Sequence, residues 1–274
     1  MTAAADFPGA IRRFEADGWS GARDEQLGED DLRAVLAAHE AGGEAALKDD
    51  ERSLVTVCRA GARTLIVKEV RKSGVRRRLA DALRGAPALR AFRAGRRLLE
   101  SGIGAALPLA AVERRRCGLP VRSLLISRDL RGDPTAATLL ARGGDARSTT
   151  LAVLADLLLA LHRAGAVHGD LRAQHVHLRD ADGRPCGARL IDLESVRFTA
   201  RRDDAGRLDD WAQIAGSIPD ADATREERRL AFERYAASMP FGIDTASAFE
   251  EMLRRSAARG HLYRGDPDRR TRSN

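Results

Sequence analysis

An apolar helix pattern that runs into a polar, histidine-rich segment constrains this chain more than any other feature. Four leucines between residues 151 and 161 recur at the spacing of one helix face, and Gly165 follows as a helix stop. The next residues, 166–178, read AVHGDLRAQHVHL. The pattern predicts a buried helix, then a loop that presents Asp170, and then a short strand.

The remaining periodicities predict a strand-rich first half and a helical second half. Short β-branched runs alternate with turn residues up to about residue 127, whereas longer apolar periodicities follow residue 206. Predicted strands occupy 54–57, 64–67, 107–112, 123–127, 175–178 and 188–193, and predicted helices occupy 31–41, 75–100, 149–163 and several segments after 206. This order indicates an α+β fold of two lobes.

The charge of the chain is concentrated in one segment. Residues 71–97 hold ten basic residues and one acid, Asp81, whereas the whole chain has a net charge of +7. Such a block favours an anionic partner, and a solvated helix face is the alternative. Aromatic residues make up only 4% of the chain and do not alternate with the block, so we expect no nucleic-acid partner.

Compartment is predicted from what the sequence lacks. No run reaches the roughly 18 apolar residues of a membrane span, and the first residues lack the basic and apolar segments of a signal peptide. The three cysteines have no metal spacing and read as thiols of a reducing compartment. We therefore expect a cytoplasmic protein.

Four features occur in an order that suits phosphoryl transfer. Lys68 ends a predicted strand in LIVK, His168-Gly169-Asp170 follows the apolar helix, His175 comes five residues after Asp170, and Asp192 closes a predicted strand in LIDLE. Phosphoryl transfer needs a cation on the nucleotide phosphates, ligands for Mg²⁺, and a carboxylate that orients the attacking hydroxyl. Each residue alone has an ordinary structural explanation, but their joint order predicts a kinase-type site.

These motifs resemble the eukaryotic-kinase-like fold and, within it, the bacterial Kdo/WaaP (InaA-type) lipopolysaccharide kinases. The resemblance extends from about Leu47 to Ser217 and rests on LIVK, LHRAGAVHGDLRAQHVHL and LIDLE, together with RAFRAGRRLLESGI before a glycine turn. It implies ATP-dependent phosphorylation of a heptose or Kdo sugar of the lipopolysaccharide inner core.

The resemblance also implies roles for individual residues. Asp170 matches the catalytic-loop aspartate, Lys68 the strand lysine and Asp192 the aspartate of the DFG motif, with His175 as the second metal ligand beside Asp192. Arg172 stands where many small-molecule kinases place a lysine that faces the transferred phosphate. The hinge that meets adenine is expected at 127–130, with Ser127, Arg128 and Leu130 as the nucleotide-binding residues.

Two departures from the kinase pattern leave room for a weak or inactive kinase-fold protein. No G-x-G-x-x-G is present, so the phosphate-covering turn is expected at 48–53. The helix carboxylate that pairs with the strand lysine is also missing, because Ala91-Phe92-Arg93 stand where it is expected. The residues are also compatible with a kinase of another small alcohol, or with a zinc hydrolase built on His168, His175 and His177.

We therefore predict a cytoplasmic, monomeric, ATP-dependent sugar kinase, peripheral to the cytoplasmic face of the inner membrane, that uses Mg²⁺ or Mn²⁺. An anionic glycolipid is the expected substrate, because the basic block suits it better than a cationic drug. The predicted segments are an extension that packs on the first lobe, a strand-rich lobe, a helical lobe and a disordered basic tail, over 1–46, 47–126, 127–263 and 264–274.

Overall fold

A computed structural model describes residues 7–51, 53–71, 81–181 and 184–259. The chain divides into two compact units, Met1–Leu130 and Arg131–Asn274. The division falls just after the predicted hinge, 127–130. The predicted basic tail lies outside the described residues. In the described part of the chain, no helix is both long enough and apolar enough to span a membrane.

The first unit is built on one antiparallel sheet of seven strands, in the order β1-β2-β6-β7-β5-β4-β3. The strands are β1 Ile11–Ala16, β2 Trp19–Asp24, β3 Ala45–Asp49, β4 Ser53–Ala60, β5 Arg63–Val70, β6 Pro108–Arg116 and β7 Leu119–Arg128. β4 and β5, which contain the predicted strands 54–57 and 64–67, form a hairpin, with Gly61 in the left-handed conformation (φ 57°) that its tight turn requires. Lys68 lies within β5, which continues to Val70 rather than ending at LIVK.

Three strands of this sheet, β1, β2 and β3, are absent from the sequence-based prediction. β1 and β2 form a hairpin, and β2 pairs with β6 in register from Ser20 with Glu113 to Arg23 with Ala110. Within β1, Phe14 is the one buried side chain, so the strand shows no alternation of apolar residues. The pattern that identifies a half-buried strand is therefore missing there.

Two helices of the first unit, α1 (Glu29–Glu40) and α2 (Pro87–Glu100), pack against the sheet. α2 buries Phe92 against Ala111. The prediction of one continuous helix over 75–100 is wrong: residues 81–84 are helical, but Gly85 has a φ of 86° and interrupts the helix, and Pro87 begins α2 at its first position. Of the first part of that prediction, residues 75–80 lie outside the described residues.

The second unit is mainly helical. Its helices are α3 Ala136–Ala141, α4 Gly144–Arg163, α5 Asp204–Gly216, α6 Arg225–Ser238 and α7 Thr245–Ala258. α4 is the helix predicted over 149–163, and it begins earlier, at Gly144. α5 begins at the N-cap Asp203, whose carboxylate accepts a hydrogen bond from the amide of Gly206 (2.9 Å). The capping box of Thr224 and Glu227 begins α6.

Two short antiparallel ladders accompany these helices. β8 (Ala166–Val167) pairs with β11 (Arg197–Phe198), and β9 (Val176–Ala181) pairs with β10 (Arg184–Leu190). Residues 182–183, between β9 and β10, lie outside the described residues. Two details of the prediction are wrong: His175 belongs to a 3₁₀ turn, Ala173–His175, and Asp192 follows the end of β10 instead of closing it.

Candidate active site

Asp170 lies on the loop after β8, and side chains of α5 hold the backbone of this loop by hydrogen bonds. The buried carboxylate of Asp210 accepts hydrogen bonds from the amides of His168 (2.7 Å) and Gly169 (2.8 Å). Its Oδ2 also lies 3.2 Å from Nε2 of His162, on α4. A buried carboxylate needs such partners, so these hydrogen bonds fix the loop backbone directly before Asp170.

Two more side chains of α5 and its C-terminal cap hold the loop beyond Asp170. Gln213 accepts from the amide of Leu171 (2.6 Å) and donates to the carbonyl of Gly169 (3.0 Å). The hydroxyl of Ser217 accepts from the amide of Ala173 (2.9 Å). These positions share one face of α5 with Asp210, because residues three to four apart on a helix are neighbours. The loop therefore has a defined backbone although it contains no regular secondary structure.

His168 is buried and braces the loop in its neutral form. Its Nε2 donates to the carbonyl of Ile191 (3.3 Å), and its Nδ1 lies 3.4 Å from the amide nitrogen of Asp170. Burial lowers the pKa of His168 below its usual value, more than the nearby Asp210 raises it. A neutral ring with its proton on Nε2 satisfies both contacts.

His175 presents one ring nitrogen to the space beside Asp170. Its Nδ1 donates to the carbonyl of Asp170 (2.9 Å), which leaves the lone pair of Nε2 available in the neutral ring. That nitrogen lies 3.8 Å from Oδ2 of Asp192. A hydrogen bond of this kind is how protein histidines are oriented for metal coordination.

Asp192 adopts the left-handed backbone conformation, with φ 61° and ψ 53°, directly before the 3₁₀ turn Leu193–Ser195. The segment around it approaches the loop closely. A Cβ at Gly169 (φ 80°) would lie 2.9 Å from the carbonyl oxygen of Ser195, so that position requires glycine for both its conformation and its space. The two segments that carry the acids are therefore packed backbone to backbone.

Asp170, His175 and Asp192 form a cluster that can hold a divalent cation. One ligand atom from each lies within 4.8 Å of the others, and all three residues are half-buried. Two carboxylates and an imidazole suit Mn²⁺ and Zn²⁺ as well as Mg²⁺. His175 suits a divalent cation at this site, because its Nε2 carries an available lone pair in the neutral ring and faces the carboxylate of Asp192.

The remaining candidate residues of the second unit have different surroundings. The guanidinium of Arg172 is exposed and lies 3.3 Å from Oδ1 of Asp170. His177 is buried, with Nδ1 3.1 Å from the carbonyl oxygen of Asp133. His168 and His177 thus make separate backbone contacts, and the described cluster around His175 is completed by the two acids instead of by these histidines.

Three nucleotide-binding candidates of the first unit, Lys68, Ser127 and Arg128, lie on the central strands of its sheet, and Leu130 follows the end of β7. Lys68 in β5 pairs with Leu125 in β7, and Ser127 in β7 pairs with Ile66. The amide of Arg128 donates to the carbonyl of Leu107 (3.0 Å), so an adenine ring would have to meet other backbone groups of 127–130. Leu130 is buried.

A buried carboxylate of the first unit has no counterpart in the sequence-based prediction. Glu69 accepts two hydrogen bonds from Arg122 (2.6 and 3.0 Å) and lies 3.2 Å from Nε2 of His39. Burial alone would raise the pKa of Glu69, but the hydrogen bonds of His39 and Arg122 outweigh it and lower that pKa to about 2. Because Glu69 is adjacent to Lys68 in an extended strand, the two side chains point to opposite faces of the sheet.

Sequence reasoning missed Asp210, Gln213 and Ser217, the residues that hold the loop. Their signal is present but weak: polar residues at positions i, i+3 and i+7 lie on one face of a helix that also buries Trp211. Nothing in the sequence distinguishes such a face from an exposed one. The side chains that reach the loop are identified only when the loop and the helix are seen together.

A family model described as "Lipopolysaccharide kinase (Kdo/WaaP) family" matches residues 39–230. No curated protein sequence matches the chain. Among solved structures, "WaaP in complex with acyl carrier protein" matches with a TM-score of 0.60 and 20% sequence identity, covering 83% of this chain and 92% of that chain. At this identity the likeness establishes the fold, which is the predicted α+β protein-kinase-like fold.

A second structure, a Stt7 homolog from Micromonas algae soaked with ATP, matches at 16% identity. It covers 69% of this chain and 54% of that chain, with a TM-score of 0.42.

Proposed function

We propose, from the premise that this chain belongs to the lipopolysaccharide kinase (Kdo/WaaP) family, that it transfers the γ-phosphoryl group of ATP to a sugar hydroxyl of the lipopolysaccharide inner core, heptose or Kdo. The observation that carries the proposal is the cluster of Asp170, His175 and Asp192, of which Asp170 and His175 belong to the segment whose start is fixed by Asp210. A carboxylate beside a site for a divalent cation is the arrangement that phosphoryl transfer needs.

Each residue of the cluster has one role in the proposed reaction. Asp170 accepts a hydrogen bond from the sugar hydroxyl and takes its proton as the oxygen attacks the γ-phosphorus. The bond from that phosphorus to the bridging oxygen breaks, and ADP leaves. His175 and Asp192 would hold the cation, which supplies charge neutralisation at the phosphate oxygens when it is bound.

One arginine and one lysine complete the proposed machinery. Arg172, exposed and 3.3 Å from Asp170, would contact the transferred phosphoryl group. Lys68 would contact the nucleotide phosphates, while Ser127, Arg128 and Leu130 would line the adenine site. A planar guanidinium beside the acceptor oxygen suits a phosphoryl group because it donates two parallel hydrogen bonds.

The test separates the two acids. Asp170→Ala should abolish most transfer and spare binding of the ATP–metal complex, whereas Asp192→Ala should weaken that binding as well as transfer. Asp156→Ala is a matched control, because its exposed carboxylate pairs with Arg234 away from the cluster (2.9 Å). Normal phosphoryl transfer by both site variants would exclude the mechanism.

We also propose that the protein acts in the cytoplasm, at the cytoplasmic face of the inner membrane, through its basic block. Arg76, Arg77 and Arg78 lie outside the described residues, whereas Arg93 and Arg97 are exposed on α2. Each charge near an anionic surface contributes roughly 1 kcal/mol, and less at high salt. The charge of the segment supports an anionic glycolipid as the substrate.

Vesicle sedimentation tests the membrane proposal. Anionic vesicles should bind the wild type more tightly than neutral vesicles, and neutralising Arg76, Arg77 and Arg78 should remove the difference. Equal binding to both kinds of vesicle would indicate that the basic block is a solvated surface that does not bind membranes. Because WaaP was solved with acyl carrier protein, the same variants should also be tested for binding to a carrier protein.

A further inference from the structure

The second unit contains a cavity that the proposed reaction does not use. It has a volume of about 400 Å³ and lies between the end of α4, strand β8 and the segment that joins β11 to α5. This is large enough for a small ligand, because ligand sites in proteins generally measure a few hundred Å³.

The cavity is lined by four arginines, Arg163, Arg201, Arg202 and Arg207, and by one acid, Asp203. Most of these charges are paired. Arg202 and Arg207 both contact the carboxylate of Asp204, and Asp203 pairs with Arg197.

Arg163 and Arg201 differ from the other two arginines. The guanidinium of Arg163 lies 3.4 Å from the carbonyl oxygen of Ser238. Within the described part of the chain, neither Arg163 nor Arg201 forms an ion pair with a carboxylate. Both arginines are exposed, so two guanidinium groups without a carboxylate partner are accessible to a ligand at this cavity. Phosphoryl oxygens are what their planar donor geometry fits best.

A chain of buried hydrogen bonds connects this cavity to the loop of Asp170. Arg207 donates through Nε to the hydroxyl of Tyr235 (2.5 Å), and that hydroxyl lies 2.8 Å from Nδ1 of His162. Nε2 of His162 lies 3.2 Å from Asp210. Burial raises the pKa of Tyr235 to about 12, so its hydroxyl keeps the proton that it donates.

The chain has one direction of donation throughout. Arg207 donates to Tyr235; with the proton of the His162 ring on Nε2, Tyr235 donates to Nδ1 of His162, and Nε2 of His162 donates to Asp210. Asp210 is the carboxylate that holds the amides of His168 and Gly169. A ligand that moves the cavity wall at Arg207 therefore acts on the anchor of the loop.

We propose that this cavity is an effector site for a phosphomonoester, gripped by Arg163 and Arg201 and coupled through Arg207, Tyr235 and His162 to the loop that carries Asp170. The site goes beyond the proposed transfer reaction and can be tested without nucleotide. Ligand binding reduces the mobility of the loop. The ligand adds acceptor oxygens at the Arg207 end of the hydrogen-bond chain, and the Asp210 end of that chain holds the amides of His168 and Gly169.

The binding test uses thermal unfolding of the full chain with inorganic phosphate or glucose 6-phosphate, against sodium chloride at equal ionic strength. Both probes should raise the melting temperature of the wild type, and glucose 6-phosphate should bind more tightly because the cavity exceeds the size of phosphate. The double variant Arg163→Ala/Arg201→Ala should bind at least about tenfold more weakly, since each arginine supplies charged hydrogen bonds. Arg254→Ala is the control, because Arg254 is exposed and pairs with Glu251 elsewhere.

Equal shifts of melting temperature in all three proteins, or no shift in the wild type, would overturn the site. Glucose 6-phosphate that binds no more tightly than inorganic phosphate would overturn the phosphomonoester assignment.

The coupling is tested by amide hydrogen exchange at His168 and Gly169. Glucose 6-phosphate should slow this exchange in the wild type. Tyr235→Phe keeps the ring but removes the hydroxyl that joins Arg207 to His162, so the ligand should bind without slowing the exchange. Slowing that persists unchanged in Tyr235→Phe would show that the hydrogen-bond chain is not the route.

Discussion

Glu69 in the first unit and Asp210 in the second are both buried carboxylates beside a histidine, but their partners differ. Glu69 is neutralised by side chains, those of Arg122 and His39, so its network joins β5, β7 and α1 and ends within the unit. Asp210 accepts hydrogen bonds from two loop amides as well as facing His162.

The difference shows what a buried charge can do in the same fold. A carboxylate whose partners are side chains stabilises the elements that carry those side chains. A carboxylate whose partners are backbone amides determines the conformation of a loop, and here that loop leads directly to Asp170. Of the two carboxylates, only Asp210 holds the backbone that positions a residue of the candidate site.

The largest effect is expected from Asp210→Asn. An amide has one acceptor oxygen and turns its NH₂ group towards a loop N–H, so one loop amide loses its partner. We expect phosphoryl transfer to fall about 100-fold because the loop is misplaced, and the free energy of unfolding to fall by about 2 kcal/mol. Steady-state kinetics and urea unfolding measure the two quantities.

The neighbouring residue provides a control for Asp210→Asn. Asp209 pairs with Arg255 (2.9 Å) and Arg259 (3.0 Å) and does not contact the loop. Asp209→Asn should leave transfer close to the wild-type rate. If Asp210→Asn and Asp209→Asn have the same rate, the buried carboxylate does not set the loop.

Glu69→Gln should affect stability more than catalysis. The pKa of Glu69 is lowered to about 2, so its stabilisation is complete above the unfolded value near 4.5 and is lost as the pH falls towards 2. We expect the variant to be about 2–3 kcal/mol less stable at pH 7. The urea unfolding curves of the two proteins should converge between pH 4.5 and pH 2.

Glu40→Gln tests whether burial is the reason. Glu40 also pairs with Arg122 (3.0 Å), but its side chain is 39% exposed, so its loss should change the stability by less than about 1 kcal/mol. A stability difference between wild type and Glu69→Gln that stays constant from pH 7 to pH 2 would rule out an ionised, stabilising Glu69.

His175→Ala tests whether His175, in the segment that Asp210 holds in place, is a metal ligand. The variant should need about tenfold more metal for half-maximal transfer, whereas His175→Asn should recover part of the activity and shift the preference from Mn²⁺ towards Mg²⁺. Metal titrations of transfer, and direct binding of Mn²⁺, measure this. A lower rate at saturating metal with an unchanged titration would indicate that His175 only braces the loop.

The smallest effect is expected from a pair of serines. Ser217→Ala removes the acceptor of the Ala173 amide and should lower stability by about 1 kcal/mol. Ser256 is buried, whereas Ser217 is half-buried, and the hydroxyl of Ser256 has no hydrogen-bond partner in the described structure, so Ser256→Ala should be neutral or stabilising. Urea unfolding compares the two, and equal losses would mean that the hydroxyl of Ser217 adds nothing to the loop.

The elements that the sequence predicted well are those in which local pattern and burial agree. The hairpin of β4 and β5 shows β-branched runs around a glycine turn, and α4 shows a leucine face over most of its length. The order of Asp170, His175 and Asp192 predicted their cluster because apolar segments with clear patterns flank these three residues in the sequence.

The rest depends on contacts that no local pattern records. β1 and β2 are strands because they pair with each other and β6, although β1 buries only one side chain. The start of α2 was readable from Pro87, which fits the first position of a helix, but the basic run before it concealed the break. The roles of Asp210 and Gln213 arise from a loop more than 40 residues away.

The left-handed conformation of Asp192 has a consequence for how this protein could change under selection. A non-glycine residue in that conformation is strained by roughly 1 kcal/mol, and glycine is not. Asp192→Gly would therefore relieve strain while removing a carboxylate from the cluster. Directed evolution for heat resistance alone would enrich such variants and yield a sturdier protein without its acid, so any screen of this chain must select for activity at the same time.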